Sequence, residues 1–165
     1  MAGPDVISET GSLRGVGRTT EFCVGGPTAN QRTAAHIRSL LPGLQFASDE
    51  EPAADLAFTV GSTEYRRQPD QAEYAVLAKT FIPGTTHPVF VIAGQRARTN
   101  LAATRLLATR YRQLLRSYGR AGRFCLVLRV LEPDAYGPDF VEIQADASGA
   151  AFNQPAAPAP VSSPG

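Results

Sequence analysis

The stretch of sequence that decides the fold is FCVGGPTAN, residues 22–30, and a second stretch, VIAGQRARTN at residues 91–100, has the same organisation. Each begins with an apolar run typical of a buried strand, continues with glycine, and ends with polar residues that favour the start of a helix. Both stretches therefore predict a strand, a tight turn and a helix in succession, which is the repeating unit of α/β domains.

Hydrophobic periodicity along the rest of the chain predicts seven strands and two helices. The strands are expected at residues 19–24, 45–47, 56–60, 74–81, 89–93, 124–131 and 140–144. The first helix is expected from residue 29 to 41, with Thr28 as its N-cap. The second is expected from residue 100 to 118, with Thr99 as its N-cap and Gly119 at its end.

The spacing of these elements predicts how the sheet is built. The loop between strands 74–81 and 89–93 is too short for a crossover helix, so these strands should form an antiparallel hairpin. The continuous apolar runs at 89–92 and 124–128 are expected to be central strands. We predict an α/β fold with a single mixed β-sheet, Rossmann-like strand-turn-helix units and two main helices.

Composition divides the chain into three regions. Residues 1–17 are predicted to be a flexible N-terminal segment, residues 18–146 the α/β domain, and residues 147–165 a disordered Pro/Ala-rich tail. No apolar run is long enough to cross a bilayer, and the start lacks the pattern of a secretory signal. These features predict a cytoplasmic protein that does not associate with membranes.

Residue types that carry catalytic or metal chemistry are sparse. Cys23 and Cys125 lie in apolar runs and are expected to be buried packing residues, while His36 and His87 are expected at the surface. The sequence contains neither a phosphate-binding P-loop nor a Cys/His cluster with metal-ligand spacing. We therefore predict no catalytic residue, metal or cofactor. Three acids that flank strands are expected to be solvated: Asp55, Glu64 and Glu73.

The two glycine turns form the candidate ligand site. A glycine after a buried strand lets the backbone approach a ligand, and the helix that follows presents unpaired N–H groups and a partial positive charge. Ligands of open α/β sheets bind outside the carboxyl ends of the strands. Two interpretations stay open: the residues only make turns and caps, or they bind an anion. The candidate ligand-binding residues are Gly25, Gly26, Thr28, Asn30, Gly94, Arg96, Arg98 and Thr99.

Charge is distributed unevenly along the chain. Residues 74–131 contain Lys79 and nine Arg but no Asp or Glu, and residues 132–165 contain five acids but no Lys or Arg. The acidic segment could therefore lie against the basic block and screen it. Four arginines fall on one side of the second helix: Arg98, Arg105, Arg112 and Arg116.

This arginine face is interpreted as a solvated surface or as a docking stripe for a protein partner. Nucleic acid is disfavoured as the partner, because no interleaved aromatic residues or recognisable reading helix accompany the arginines.

The chain resembles a poorly characterised actinobacterial family in three places. These are VGGPTAN at residues 24–30, YAVL at 74–77 with the turn at 81–84, and AG at 93–94 leading into 101–107. Its members occur alone or C-terminal to helix-turn-helix regulators, and a similar Gly-Gly-Pro-x-x-Asn unit appears in some archaeal S-layer-like regions. The family's second turn reads Asn-Gly-x-His, whereas this chain has Ala-Gly-Gln-Arg at 93–96. The resemblance implies a sensory or regulatory setting.

The leading functional hypothesis is non-enzymatic binding or sensing of a small anionic, nucleotide-like ligand in a regulatory setting. The alternative is a protein-interaction or accessory subunit that docks through the arginine face. A nucleotide-processing hydrolase is the third hypothesis.

Overall fold

The structure, a computed structural model, describes residues 18–47 and 57–154. The strands are β1 (Glu21–Val24), β2 (Leu44–Phe46), β3 (Ala57–Val60), β4 (Thr63–Arg66), β5 (Ala72–Phe81), β6 (Pro88–Gly94), β7 (Phe124–Leu131) and β8 (Val141–Asp146). The helices are α1 (Gln31–Leu40), α2 (Ala97–Tyr118), α3 (Pro133–Tyr136) and α4 (Ser148–Phe152). Among the described residues, none of the helices combines the length and apolarity that crossing a bilayer requires.

The main sheet has five strands in the order β1-β6-β5-β7-β8. β5 and β6 form the predicted antiparallel hairpin, β5 also pairs antiparallel with β7, and β1 pairs parallel with β6. β1, β6 and β7 therefore run in one direction while β5 and β8 run in the other. The sheet is mixed, as predicted, and the apolar runs of β6 and β7 do form interior strands.

The prediction of a single sheet is wrong, because β2, β3 and β4 form a separate antiparallel sheet. α1 connects β1 to this second sheet instead of returning to a parallel neighbour in the main sheet. α2 does join two parallel strands, β6 and β7, but β5 lies between them. The Rossmann-like pattern of the strand-turn-helix units is therefore not confirmed. β4 was not predicted at all, because its sequence TEYR is short and polar.

Two apolar clusters cover opposite faces of the main sheet. One contains Leu41 and Phe58, from the end of α1 and the second sheet, and packs on the β5 side chains that include Val76. The other contains Leu106 of α2 and packs on the alternate β5 side chains, such as Leu77. Fully burying such a side chain contributes about 1.5–3 kcal/mol, so the two clusters hold the layers together.

α1 begins at Gln31, later than predicted, because Asn30 rather than Thr28 is its N-cap. The Asn30 Oδ1 accepts hydrogen bonds from the backbone N–H groups of Arg32 at 3.0 Å and Thr33 at 3.1 Å. These are two of the amides that the start of a helix leaves without a partner. The prediction of Thr28 as the cap is therefore wrong.

α2 begins at Ala97, three residues earlier than predicted, with Arg96 in the N-cap position. Thr99 is the third residue of the helix instead of its cap, and its Oγ1 accepts the Arg96 N–H at 2.8 Å. Leu106 and Leu107 face the sheet, but Tyr111, which shares their helical spacing, is about half-exposed.

Residues 147–154 belong to the folded domain, although the predicted tail begins at residue 147. The Gly43 N–H donates to the Ala151 carbonyl at 2.9 Å, and the Ala151 side chain is fully buried in the core. The guanidinium of Arg123 also lies 4.3 Å from the centre of the Phe152 ring. Burial of α4 against the core thus orders this segment. Residues 1–17 and 155–165, together with Asp55, lie outside the described residues.

Candidate functional site

The two glycine turns lie side by side at one rim of the main sheet. β1 and β6 are parallel neighbours with Val24 opposite Ile92, so both strands deliver their carboxyl ends to the same place. The Gly25 N–H donates to the Ile92 carbonyl at 2.9 Å. A Cβ placed on Gly26 would lie 3.8 Å from the Gly94 carbonyl oxygen. The juxtaposition of the two turns that the sequence predicts is therefore present.

The turns open onto a crevice of about 270 Å³. Its other walls come from the second sheet, at Phe46 and Ala57, and from the start of α2, at Ala97 and Asn100. Five of the predicted ligand-binding residues line this crevice: Gly25, Gly26, Thr28, Gly94 and Arg96.

Part of the polar backbone at this rim is already hydrogen-bonded within the chain. The Gly94 N–H donates to Asn100 Oδ1 at 2.6 Å, and the Arg96 N–H donates to Thr99 Oγ1 at 2.8 Å. These two amides stabilise the second turn and are not available to a ligand. The expectation that the backbone N–H groups of both turns are free to bind a ligand is therefore only partly confirmed.

Other groups at the rim remain available. The backbone N–H groups of Gly26, Thr28 and Ala97 find no acceptor within residues 18–47 and 57–154. The Arg96 side chain, which also lines the crevice, is 44% exposed. Ala97 is the first residue of α2, where the helix dipole is positive. The crevice thus combines three amide donors with one accessible guanidinium.

Two of the predicted ligand-binding residues act as structural supports and do not line the crevice. The Asn30 Oδ1 caps α1, and its Nδ2 donates to the Val24 carbonyl at 3.2 Å. Thr99 is fully buried, and its Oγ1 donates to the Arg96 carbonyl at 2.6 Å while accepting the Arg96 N–H. For both residues the turn-and-cap interpretation describes what the side chain does.

Gln95 holds the second turn in place, a role that the sequence did not indicate. Its side chain is buried, with Oε1 accepting the Tyr74 N–H at 2.8 Å and Nε2 donating to the Tyr65 carbonyl at 3.1 Å. Because Tyr65 lies on β4 and Tyr74 on β5, Gln95 ties the turn to both sheets. No local pattern distinguishes such a glutamine from an exposed one.

Arg98 belongs to a cluster of charges around Glu73 at the same rim. The Glu73 side chain is 1% exposed and contacts three guanidinium groups, with shortest distances of 2.6 Å to Arg98, 3.3 Å to Arg67 and 3.7 Å to Arg96. Arg98 also binds the Asp134 carboxylate at 2.6 Å. The prediction of Glu73 as a solvated strand end is wrong, and Arg98 is committed to ion pairs and not to the crevice.

Ion pairing within this cluster changes the pKa of its members. Hydrogen bonds from the Arg98 guanidinium to Glu73 and Asp134 raise the pKa of Arg98. The exposed carboxyls of Asp70 and Asp134 share a hydrogen bond, which raises the pKa of Asp70 and lowers that of Asp134. Of the three arginines around Glu73, Arg96 has the most exposed side chain and is the one that lines the crevice.

The arginine face of α2 is partly neutralised by the C-terminal acids, as the charge segregation indicated. Arg105 binds Asp139 at 2.7 Å, in addition to the pairing of Arg98 described above. Arg112 and Arg116 are exposed and form no ion pair within the part of the chain that the structure describes. The predicted stripe of four cations is therefore reduced to two.

The backbone geometry predicts opposite outcomes for two alanine substitutions in the turns. A Cβ on Gly94 would overlap Thr99 Oγ1 and lie 2.8 Å from Thr99 Cβ, whereas a Cβ on Gly26 would meet nothing closer than 3.8 Å. We expect Gly94→Ala to lower the free energy of unfolding by about 1–3 kcal/mol, the usual cost of overpacking. Gly26→Ala should change it by less than about 0.5 kcal/mol in urea denaturation. Equal losses in the two variants would contradict this geometry.

The crevice combines hydrogen-bond donors with apolar surface. Its lining supplies amide donors, one guanidinium and apolar carbon, and none of the described lining residues is Asp, Glu, His, Lys or Cys. No family model matches this chain, and neither a curated protein nor a solved structure matches it.

Proposed function

We propose that the crevice binds a small anionic ligand with a planar apolar part, of the kind represented by a mononucleotide. The observation that carries this proposal is that three residues whose N–H groups have no acceptor among the described residues, Gly26, Thr28 and Ala97, line the same crevice as the Arg96 side chain. The helix that starts at Ala97 adds a positive dipole end beside them. Donors of this type hold phosphate or carboxylate oxygens without needing a metal.

The opposite wall of the crevice suits the apolar part of such a ligand. Phe46, Ala47 and Ala57 present carbon surface from the second sheet, at the side facing the glycine turns. Ligand sites for small molecules typically measure about 300–1,000 Å³, so a crevice near the lower limit favours a mononucleotide over a dinucleotide. The proposed arrangement places the phosphate at the turns and the base against the second sheet.

We propose binding without catalysis, in the sensory setting that the family resemblance implies. A nucleotide-processing hydrolase would need an acid or a base close to the bound ligand, and the described crevice walls supply neither. Docking through the arginine face rests on two remaining cations, which is a small charged patch for a stable partner. The crevice is therefore the stronger basis for a function.

A thermal-shift titration tests the proposal. AMP and ADP should raise the melting temperature in a concentration-dependent way, because a ligand at 100 times its dissociation constant stabilises the native state by about 2.7 kcal/mol, and the larger ADP-ribose should raise it less. Inorganic phosphate should have a smaller effect, since it lacks the apolar part. An unchanged melting temperature with every one of these compounds would remove the proposal.

Gly26→Asp is the variant that locates the site. A side chain at position 26 fits without a steric clash, because its Cβ would lie 3.8 Å from the nearest atom. The aspartate carboxylate would place a negative charge between the amide donors. We expect the ligand-dependent shift to disappear in Gly26→Asp while the protein stays folded. The matched control is Gly149→Asp on α4, where an added Cβ meets nothing within 4 Å, compared with 3.8 Å to the nearest atom at Gly26. A shift that survives in Gly26→Asp would place the ligand elsewhere on the protein.

A further inference from the structure

Three different metal-binding side chains meet between β1 and α1, on the face of β1 away from Phe22 and Val24. Glu21 and Cys23 are two residues apart on β1, so their side chains point to the same face of the strand. His36 approaches from α1, which the β1–α1 turn folds back against that face. The prediction of His36 at the surface is wrong, because its ring is buried against Glu21. The candidate donor atoms Oε1, Sγ and Nε2 all lie within 4.8 Å of one another.

The spacing of these atoms is close to that of a tetrahedral metal site. His36 Nε2 lies 2.9 Å from Glu21 Oε1, and Cys23 Sγ lies 3.2 Å from the same oxygen. A tetrahedral Zn²⁺ with ordinary bond lengths would hold these pairs of donors roughly 3.3–3.6 Å apart. The two donor pairs that share Oε1 would therefore need to separate by only a few tenths of an ångström to reach the spacing of a tetrahedral ion.

We propose that Glu21, Cys23 and His36 form a binding site for a divalent transition-metal ion of the Zn²⁺ class. Zn²⁺ prefers a donor set made of a thiolate, an imidazole and a carboxylate. Mg²⁺ and Ca²⁺ prefer oxygen ligands alone and are therefore disfavoured at this site. Three protein ligands leave one position of a tetrahedral ion open to water or to another ligand.

Arg32 completes the surroundings of the site. It lies one helical turn before His36, and its Nη2 donates to Glu21 Oε2 at 2.9 Å while its Nε contacts Oε1. In the metal-bound protein Arg32 keeps Oε2, and the ion replaces the donors that now converge on Oε1. Fixing the second oxygen orients the carboxylate, which is the usual task of a group outside the ligand shell.

The chemistry of binding is a proton exchange at Cys23. In the metal-free protein the Cys23 thiol donates a hydrogen bond to Glu21 Oε1 at 3.2 Å and therefore carries its proton. Binding breaks the S–H bond, releases that proton to solvent and forms the metal–sulfur bond. His36 Nε2, which donates to the Glu21 carboxylate in the metal-free protein, loses its proton to solvent while Nδ1 takes one up, and the freed Nε2 lone pair coordinates the ion. Oxidation states do not change, and no further reactant is needed.

Cobalt titration of the metal-free protein tests the site. One equivalent of Co²⁺ should produce the thiolate-to-metal charge-transfer band in the near ultraviolet together with the intense visible bands of a four-coordinate ion, and added Zn²⁺ should remove both. Zn²⁺ should also raise the melting temperature. A titration without these bands would overturn the proposal and leave the cluster as a purely hydrogen-bonded one.

Two variants and one control assign the ligands. Cys23→Ser should lose the charge-transfer band, and His36→Gln should weaken Co²⁺ binding by more than about 10-fold, the lower end of the loss on removing even an outer-shell partner. If Cys23→Ser does not fold, the loss of Co²⁺ affinity in His36→Gln tests the site in its place. Cys125→Ser is the matched control, because Cys125 is equally buried but lies outside the cluster. A band that persists in Cys23→Ser or disappears in Cys125→Ser would overturn the assignment.

Discussion

Replacing Glu73 by Gln is expected to lower the free energy of unfolding by about 3–5 kcal/mol, the usual loss when one partner of a buried ion pair is removed. Glu73 is fully buried at the start of β5, with Arg98 Nε at 3.0 Å and Arg98 Nη2 at 2.6 Å. The Arg67 side chain, only 10% exposed, shares the same carboxylate. The neutral amide would leave these two guanidinium groups without their buried counter-charge. Urea denaturation at neutral pH measures the effect.

Glu64→Gln is the matched control for this prediction. Glu64 also pairs with an arginine, Arg66 at 2.9 Å, but the two side chains are about half-exposed. A pair in water contributes about 0–1 kcal/mol because solvent screens it and because ordering two long side chains costs entropy. A loss in Glu73→Gln no larger than that in Glu64→Gln would show that the charge cluster does not stabilise the rim.

The strands with strong apolar periodicity could be predicted from the sequence nearly to the residue. β7 spans Phe124–Leu131, as its apolar run indicated, and the short loop before β6 correctly predicted the hairpin. These predictions succeed because burial on both faces of a strand leaves a continuous apolar run, and because a short loop allows only an antiparallel return.

The second sheet could not be predicted, because pairing partners are not encoded locally. The strand LQF at 44–46 has the same local character whether it joins the main sheet or pairs with β3. β4, with the sequence TEYR, buries little of its surface and so lacks the alternating pattern on which strand prediction depends. The assignment of every strand to one sheet failed for this reason.

The sequence placed the two turns correctly but not the side chains around them. Parallel strands bring their carboxyl ends together, so the crevice followed from topology. Arg98 does not line the crevice because it pairs with Glu73, which lies 25 residues earlier in the sequence. A contact over that separation cannot be predicted from the residues next to Arg98. One signal was present: residues 74–131 contain no acid, so any arginine of that block that forms an ion pair must pair with an acid outside it, and Glu73 lies next to the block.

Acid is expected to destabilise the protein through Glu21. The Arg32 hydrogen bonds are the main cause that lowers the pKa of the Glu21 carboxyl from 4.5 to about 2. Burial acts in the opposite direction, and hydrogen bonds from His36 and Cys23 lower the pKa further. A carboxyl whose pKa is lower in the folded state stabilises that state above its unfolded pKa, and the contribution is lost as the pH falls through the folded pKa. The Glu21 side chain is 16% exposed, so solvent screens this contribution only in part.

The expected loss is about 3 kcal/mol between about pH 5 and about pH 2, since one pKa unit corresponds to 1.36 kcal/mol. Urea denaturation across this range, with a chelator present to exclude metal binding, should show that the stability of Glu21→Gln falls less steeply than that of the wild type. Glu142→Gln, whose carboxylate is half-exposed and 3.7 Å from Arg129, should follow the wild type. Parallel curves for wild type and Glu21→Gln would mean that Arg32 does not hold this carboxylate in the folded protein. That result would also remove the orientation of Glu21 on which the proposed metal site depends.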